Sequence, residues 1–133
     1  MIIQDSFKIN TNKNFEIIDI TSQINNLIAI ENGIISIFSK HSTSAIVVNE
    51  NEKGLLNDLE FMLDNLVLDK FSYQHNRIDN NARSHLKSFL LSSSESLPIK
   101  NRKLDLGTWQ SVFFIELDGP RHNRTVTLTM VGE

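Results

Sequence analysis

The 133-residue chain contains no cysteine, which removes disulfides, thiolate nucleophiles and cysteine-type zinc sites from its possible chemistry. Proline occurs twice and glycine five times, too few and too scattered for a flexible linker, a P-loop or a dinucleotide-binding fingerprint. No apolar run approaches the ~20 residues that span a bilayer, so no membrane partner is expected. The opening MIIQDSFKIN lacks the basic start and long apolar stretch of a signal peptide, and a cytoplasmic location is expected. A basic surplus is missing too: 13 Lys and Arg face 16 Asp and Glu, a net charge of −3. That argues against a general nucleic-acid binder, although a local basic patch can still hold a small phosphorylated molecule.

What is present is an ordinary globular composition, 40% hydrophobic and 22% charged, in a chain long enough for one core but not two. A single domain over residues 1–133 is expected. Ile2 to Ile9 and Phe15 to Ile20 read as strands separated by the turn-like TNKN. Thr21 or Ser22 can cap a short helix with Ile24, Leu27 and Ile28 on its apolar side, ended by Gly33. Ile34 to Phe38 and Ser44 to Asn49 follow as strands. Leu55, Leu59, Met62 and Leu66, joined by Leu56 and Leu63, recur at helical spacing and predict a helix over roughly 52–67, capped by Asn49 or Asn51. Lys70 to Ile78 reads as a loop. Asp79 or Asn80 can cap a further helix to about Leu91, with Ala82, Leu86 and Phe89 inward. Pro98 confines Leu97 to Ile99 to an edge or entering strand. Trp109 to Leu117, the turn DGPRHN and the alternating RTVTLTM read as a hairpin. The expected fold is α+β, a mainly antiparallel sheet or β-sandwich with two or three helices inserted mid-chain.

Four stretches concentrate polar residues. In HSTSAIVVNENE (41–52), Asn49 and Glu50 emerge at a strand end just before a helix N-terminus, a place that favours anions; the same residues also read as caps and solvated charge. In YQHNRIDNNARSHL (73–86), Asn81 and His85 are four apart on one helix face, and His75 can fold back toward them. His41, His75 and His85 can give neutral imidazoles to a metal or act as general acid–base groups, although their spacing matches no HExxH motif. In LDLGTWQ (104–110), Gly107 marks a tight turn, and Trp109 is either core or a ligand platform. In ELDGPRHNR (116–124), Arg121 and Arg124 flank a turn and suit bidentate contacts with phosphate or carboxylate. Glu116 shares a strand face with Val112 and Phe114, so its carboxylate needs a partner, most cheaply an Arg. No GxSxG elbow supports a Ser/His hydrolase.

Taken in order, these four blocks, with LPIKNRKLDLGTWQ for the third, resemble the YjbQ family, and the match runs from about Phe38 to Glu133. The resemblance implies a small α+β domain assembled as a homotrimer, with a polar site near a subunit interface. It also implies a secondary, low-level thiamine-phosphate synthase activity. That reaction couples hydroxymethylpyrimidine diphosphate to thiazole phosphate and releases pyrophosphate. The family's polar positions fall on His41, Ser44, Asn49 and Glu50, then His75, Asn81 and His85. They continue at Gly107, Trp109 and Gln110, and end at Glu116, Asp118 and Arg121. His41, His75, His85 and Glu50 are the expected catalytic groups, and the three histidines are also the expected ligands of a divalent metal, Mg²⁺ or Zn²⁺. Ser44, Asn49, Asn81, Trp109, Gln110, Glu116, Asp118 and Arg121 are the expected substrate contacts, with Arg121 and Arg124 neutralising diphosphate. The expected partner is a small phosphorylated metabolite. The alternative is a metal-dependent enzyme, or a metal- or phosphate-metabolite-binding protein, with a different substrate. The chain departs from the family at Asn80-Asn81-Ala82 (often GNA), at Leu91-Ser92-Ser93 (often a glycine after the helix) and at Asn101-Arg102-Lys103, which lacks a turn glycine. A purely structural protein would scatter His41, His75, His85 and Arg121; a functional site would bring them into one cleft.

Overall fold

The computed structural model describes residues Met1–Glu133 and contains eight strands and three helices. The strands are β1 (Ile2–Ile9), β2 (Glu16–Asp19), β3 (Gly33–Ser39), β4 (Ser44–Glu50), β5 (Ser94–Lys100), β6 (Lys103–Leu104), β7 (Gln110–Glu116) and β8 (Arg124–Gly132). The helices are α1 (Thr21–Leu27), α2 (Lys53–Leu66) and α3 (Ala82–Leu91), with a 3-10 turn at Gln74–Arg77. All pairings are antiparallel, in a five-stranded sheet ordered β1-β8-β3-β5-β6 and a three-stranded sheet ordered β2-β7-β4. The fold is thus α+β with curled antiparallel sheets. No helix is long and apolar enough to cross a membrane.

Alternation along the strands builds the main core. Ile35 and Ile37 of β3 and Val126, Leu128 and Met130 of β8 point inward to meet Val112 and Phe114 of β7. Ile20, Ile24, Ile28 and Ile30, before, on and after α1, close one end of this core. Burying each such side chain contributes roughly 1.5–3 kcal/mol. The other face of β7, Phe113, Ile115 and Leu117, is covered by Leu56 and Leu59 of α2 and Leu91 of α3. The second apolar face of that strand is therefore covered by the chain's own helices and needs no neighbouring copy.

Four local expectations are corrected. The terminal strands form no hairpin: β7 and β8 lie in different sheets, and the segment between them crosses from one to the other. At α2 the capping group is Glu52, whose carboxylate accepts from the Gly54 and Leu55 N–H groups, while Asn51 donates to Asp19. At α1 neither Thr21 nor Ser22 caps; Thr21 Oγ1 instead donates to Asp19 and accepts from Val112 N–H. The helix stops at Leu27, and Gly33 opens β3.

Of the predicted Ala82/Leu86/Phe89 stripe only Ala82 is buried, and α3 docks mainly by polar contacts. Ser84 Oγ donates to Leu117 O at 2.6 Å, and Ser88 Oγ to Ser44 O at 2.6 Å. Both acceptors are carbonyls at one end of the three-stranded sheet, which a leucine cannot satisfy. Lys87, buried against Phe15, reaches Asp64 of α2 at 2.9 Å, and Arg83 joins the same carboxylate at 3.0 Å. Phe89 is left 84% exposed, on a flank of the helix that His85 shares.

Candidate functional site

The β7–β8 segment is held by a buried ion pair. Glu116 is fully buried, and Arg124 meets it in a bidentate contact, Nε to Oε1 at 2.9 Å and one Nη to Oε2. Thr11 Oγ1 also donates to Glu116 at 2.7 Å and accepts from Arg121 N–H at 2.9 Å, while Asp118 N–H donates to Oε2 at 3.0 Å. Burial alone would raise the Glu116 pKa. The hydrogen bonds from Arg124, Thr11 and Asp118, with the Arg124 charge, outweigh it and hold the carboxyl below its ordinary 4.5. At Gly119 a Cβ would stand 2.1 Å from Lys13 O, so only glycine lets this segment press against the β1–β2 turn. These contacts place Asp118 and Arg121 in front of α3.

Between them runs a chain of hydrogen bonds. Arg121 contacts Asp118 twice, Nε to the backbone carbonyl at 2.8 Å and an Nη to Oδ2 at 2.9 Å. Asn81 Nδ2 donates to the same Oδ2 at 2.9 Å, and Asn81 Oδ1 lies 3.0 Å from His75 Nε2. Since the carboxylate only accepts, the Asn81 amide must turn its oxygen to His75, and His75 Nε2 carries the proton. The His75 ring stands edge-on to His85, centroids 4.7 Å apart. One edge of the Arg121 guanidinium is tied to Asp118, and its side chain is 51% exposed.

His41, in the β3–β4 turn, faces this group from the sheets. Its Nε2 accepts from Thr125 N–H at 2.8 Å, so the neutral ring carries its proton on Nδ1. Burial lowers its pKa below the ordinary 6.5, the Arg124 charge lowers it further, and Glu116 opposes both. The unfolded chain therefore takes up this proton first, and stability should fall as pH drops below about 6.5. The lowered carboxyls Glu116, Asp64 and Asp19 lose their contributions only at more acid pH, below their ordinary values of 4.5 and 3.8. Urea unfolding between pH 7.5 and 5.5 (about one unit either side of 6.5) should show this loss. His41→Gln, whose carbonyl can still accept from Thr125, should flatten it. An unchanged slope in that variant would contradict the assignment.

The open space in front of these side chains is a cleft of about 390 Å³ without a hydrophobic wall, lined by His41, Asn81, His85, Asp118, Arg121 and His122 among others. It brings together the expected residues His41, Asn81, His85, Asp118 and Arg121, with His75 behind Asn81. His122, Asp79 and Ser42 also line it and were missed by sequence reasoning. His122 lay inside a turn signal and Asp79 at a capping position, and both labels hid side chains that face the same space.

Other expected residues are elsewhere. Asn49, Glu50, Trp109 and Gln110 stand at the far end of the β4–β7 ladder, where Glu50 pairs with Gln110 and Asn49 with Ser111, whereas Ser44 pairs with Glu116. Six residues at ~3.3 Å each separate the ends by roughly 20 Å. Gln110 Oε1 accepts from Gly107 N–H at 2.9 Å, closing its own turn, and Trp109 is 73% exposed. Ser44 is fully buried, bonded to Ser39 Oγ at 2.6 Å and His41 O at 3.0 Å. Ser44 and Glu116 are therefore framework rather than substrate contacts, and Arg124 is engaged by Glu116 and Thr43. Nor do His41, His75 and His85 form a ready metal set: no three His, Asp or Glu side chains in the chain are grouped to hold an ion. His41 Nε2 and His75 Nε2 already have other partners.

The family model described as "UPF0047 protein YjbQ-like" matches residues 5–133. A UPF0047 protein of Methanothermobacter thermautotrophicus is 52% identical over 126 residues, 92% of this chain and 87% of that one. The crystal structure of a YbjQ-like protein of unknown function from Sulfolobus solfataricus superposes with a TM-score of 0.95 at 40% identity, over 100% of this chain and 99% of that one. A YjbQ/UPF0047-family protein from Clostridium acetobutylicum gives a TM-score of 0.86 at 33% identity, over 97% and 99% of the two chains.

Proposed function

The chain belongs to the UPF0047 YjbQ-like family, and on that premise we propose that its polar cleft binds the phosphate or diphosphate of a small metabolite for a transferase reaction of thiamine-phosphate synthase type. The observation that carries this reading is the convergence of Arg121, His41, His85 and His122 on one cleft without a hydrophobic wall. Imidazole and guanidinium N–H groups are the donors a phosphate needs, and Arg121 presents its untied edge to solvent.

The reaction breaks the bond between the pyrimidine methylene and the diphosphate oxygen, and the electron pair leaves with the diphosphate. The thiazole nitrogen lone pair forms the new C–N bond, giving thiamine phosphate and pyrophosphate. Negative charge grows on the departing oxygen, so donors fixed beforehand at that oxygen lower the barrier most. Arg121 is held by Asp118, Asp118 by Asn81, and Asn81 by His75, so the guanidinium is oriented before substrate arrives. His41, neutral with Nδ1–H free of Thr125, donates without gaining a charge. His85, on the same cleft, is in this reading the group that protonates the leaving oxygen. Asp79 and Asp118 on the same cleft suit a diphosphate that arrives with its divalent cation as substrate. The same reading expects a homotrimer acting in the cytoplasm on small metabolites.

The test is thiamine phosphate formation from the two substrates with Mg²⁺, for wild type, Arg121→Ala and His85→Ala. Both variants should be slower by at least about ten-fold, the value of one charge-assisted hydrogen bond. Equal rates in all three would remove the cleft from the reaction. A metal- or phosphate-binding protein without this reaction is the second reading; it keeps phosphate binding at Arg121 and shows no product.

A further inference from the structure

Leu55, Leu59, Met62 and Leu66 share one stripe of α2, yet the structure does not bury that stripe. Leu63 is the only buried residue of the helix, while Leu55 is 40% and Met62 48% exposed. Leu56 and Leu59 reach the Phe113 side of the three-stranded sheet, and beside them a cavity of about 330 Å³ remains. Its floor is Ile17, Val47 and Phe113, one from each strand of the sheet, with Val47 directly opposite Phe113. Its roof is Leu55, Leu59 and Met62. A volume of this size suits a small molecule, whose sites are mostly apolar with a few polar groups at fixed places. The cavity shares no residue with the histidine cleft.

The polar groups that line it are Asn49, Glu50 and Asp58, so every charged residue on its wall is acidic. Asn49 and Asp58 are open to solvent. Both carboxylates are unengaged. No ion pair within the chain includes Glu50 or Asp58, and the Glu50 hydrogen bond to Asn49 runs through its backbone N–H. Other carboxylates nearby are in use: Asp19 holds Thr21 and Asn51, Glu52 caps α2, and Asp64 pairs with Arg83 and Lys87. Lys53 lines a neighbouring polar hollow instead, with Lys13, Glu16 and Glu60. An apolar cavity walled by two free carboxylates attracts a cation and repels an anion.

We infer that this cavity binds a small apolar amine. The hydrocarbon body lies over Val47 and Phe113, beneath Leu59 and Met62, and the ammonium group faces Glu50 and Asp58. This site is independent of the phosphate reading of the histidine cleft. It gives Glu50 a role at the far end of the β4–β7 ladder, and the half-exposed stripe of α2 a reason.

The three methionines make a local test possible. Met62 lines the cavity, Met130 is buried in the main core, and Met1 is exposed at the N-terminus. Protein labelled with ¹³C at the methionine methyls is titrated with hexylamine, hexanol and hexanoate in low-salt buffer at neutral pH. Only the Met62 signal should move. Hexylamine should bind roughly five-fold tighter than hexanol, the upper value of one exposed ion pair, and hexanoate more weakly than either. Added salt should shrink the difference. Glu50→Gln combined with Asp58→Asn should bring hexylamine down to the hexanol affinity and leave hexanol unchanged. Val47→Phe should fill the cavity and weaken all three probes. Probes that bind wild type alike, or a preference that survives the double substitution, would overturn the amine assignment. A Met62 signal that no probe moves would overturn it too. So would one that moves on dilution without a probe, since that assigns the cavity to a second copy of the chain.

Discussion

Arg124→Met should destabilise the protein by about 3–5 kcal/mol, the largest loss expected of any single change near the cleft. The substitution preserves apolar volume but leaves Glu116, fully buried, without its guanidinium partner. Thr11 and the Asp118 N–H remain as donors, and two neutral donors do not neutralise a buried carboxylate. Urea unfolding followed by far-UV circular dichroism measures the loss. Adding Glu116→Gln should recover part of it, because an amide keeps an acceptor for Thr11 and Asp118 without the charge.

The pH response separates a charge effect from a packing effect. In wild type the Glu116 pKa is lowered, so its contribution is present above 4.5 and disappears as pH falls through the native value. With Arg124 removed, burial is the dominant influence and raises the native pKa above the unfolded one. Acidification should then stabilise Arg124→Met relative to wild type. A loss below about 1 kcal/mol, the value of an exposed pair, or a variant that keeps the wild-type pH slope, contradicts the account. Because Thr11 joins Glu116 to the Arg121 N–H, the same substitution should also loosen the segment that carries Asp118 and Arg121.

Arg121→Ala should behave in the opposite way, with little effect on folding and a large one on ligand. Its ion pair with Asp118 involves a side chain 51% exposed, and such pairs contribute only about 0–1 kcal/mol. A guanidinium facing a phosphate makes charge-assisted hydrogen bonds worth roughly 1.5–3 kcal/mol. That range corresponds to a loss of pyrophosphate affinity of about ten-fold to a little over a hundred-fold. Arg121→Lys should restore only part of it, since an ammonium keeps the charge but lacks the planar fork and the second contact to Asp118. Unchanged affinity in Arg121→Ala at unchanged stability would place the anion elsewhere.

These two arginines show where sequence reading reached and where it stopped. By sequence both suit phosphate or carboxylate partners, and the Glu116 carboxylate needs an Arg. Period-two alternation in RTVTLTM puts Arg124 on the inward face of Val126, Leu128 and Met130, but its meeting with Glu116 depends on β8 lying in the opposite sheet from β7. That crossing is a long-range property, and a turn sequence such as DGPRHN does not encode it. Strand positions were legible because side chains alternate with period two, so β1, β3, β4 and β8 fall within a residue or two of expectation. The inward face of α3 was misread for a related reason. Periodicity ranks Leu86 and Phe89 as core, while the helix is positioned by Ser84 and Ser88 satisfying sheet carbonyls.

The site was half legible. His41, Asn81, His85, Asp118 and Arg121 were singled out and do meet in one cleft. The family resemblance put Ser44 in the site, yet it is fully buried and serves the interior. Asn49, Glu50, Trp109 and Gln110 share sequence blocks with cleft residues but lie at the other end of the β4–β7 ladder. A strand carries one motif to two places, and only the pairing register reveals which residues part company.

That separation is the central claim, and the single tryptophan makes it directly measurable. In a two-dimensional ¹H–¹⁵N spectrum Trp109 contributes the only indole N–H signal. Titrating labelled protein with pyrophosphate should shift the backbone signals of His41, His85, Arg121 and His122. The Trp109 indole and the Asn49 and Glu50 amides should stay in place. Shifts concentrated at Trp109, Asn49 and Glu50, with the histidine end unmoved, would contradict the account.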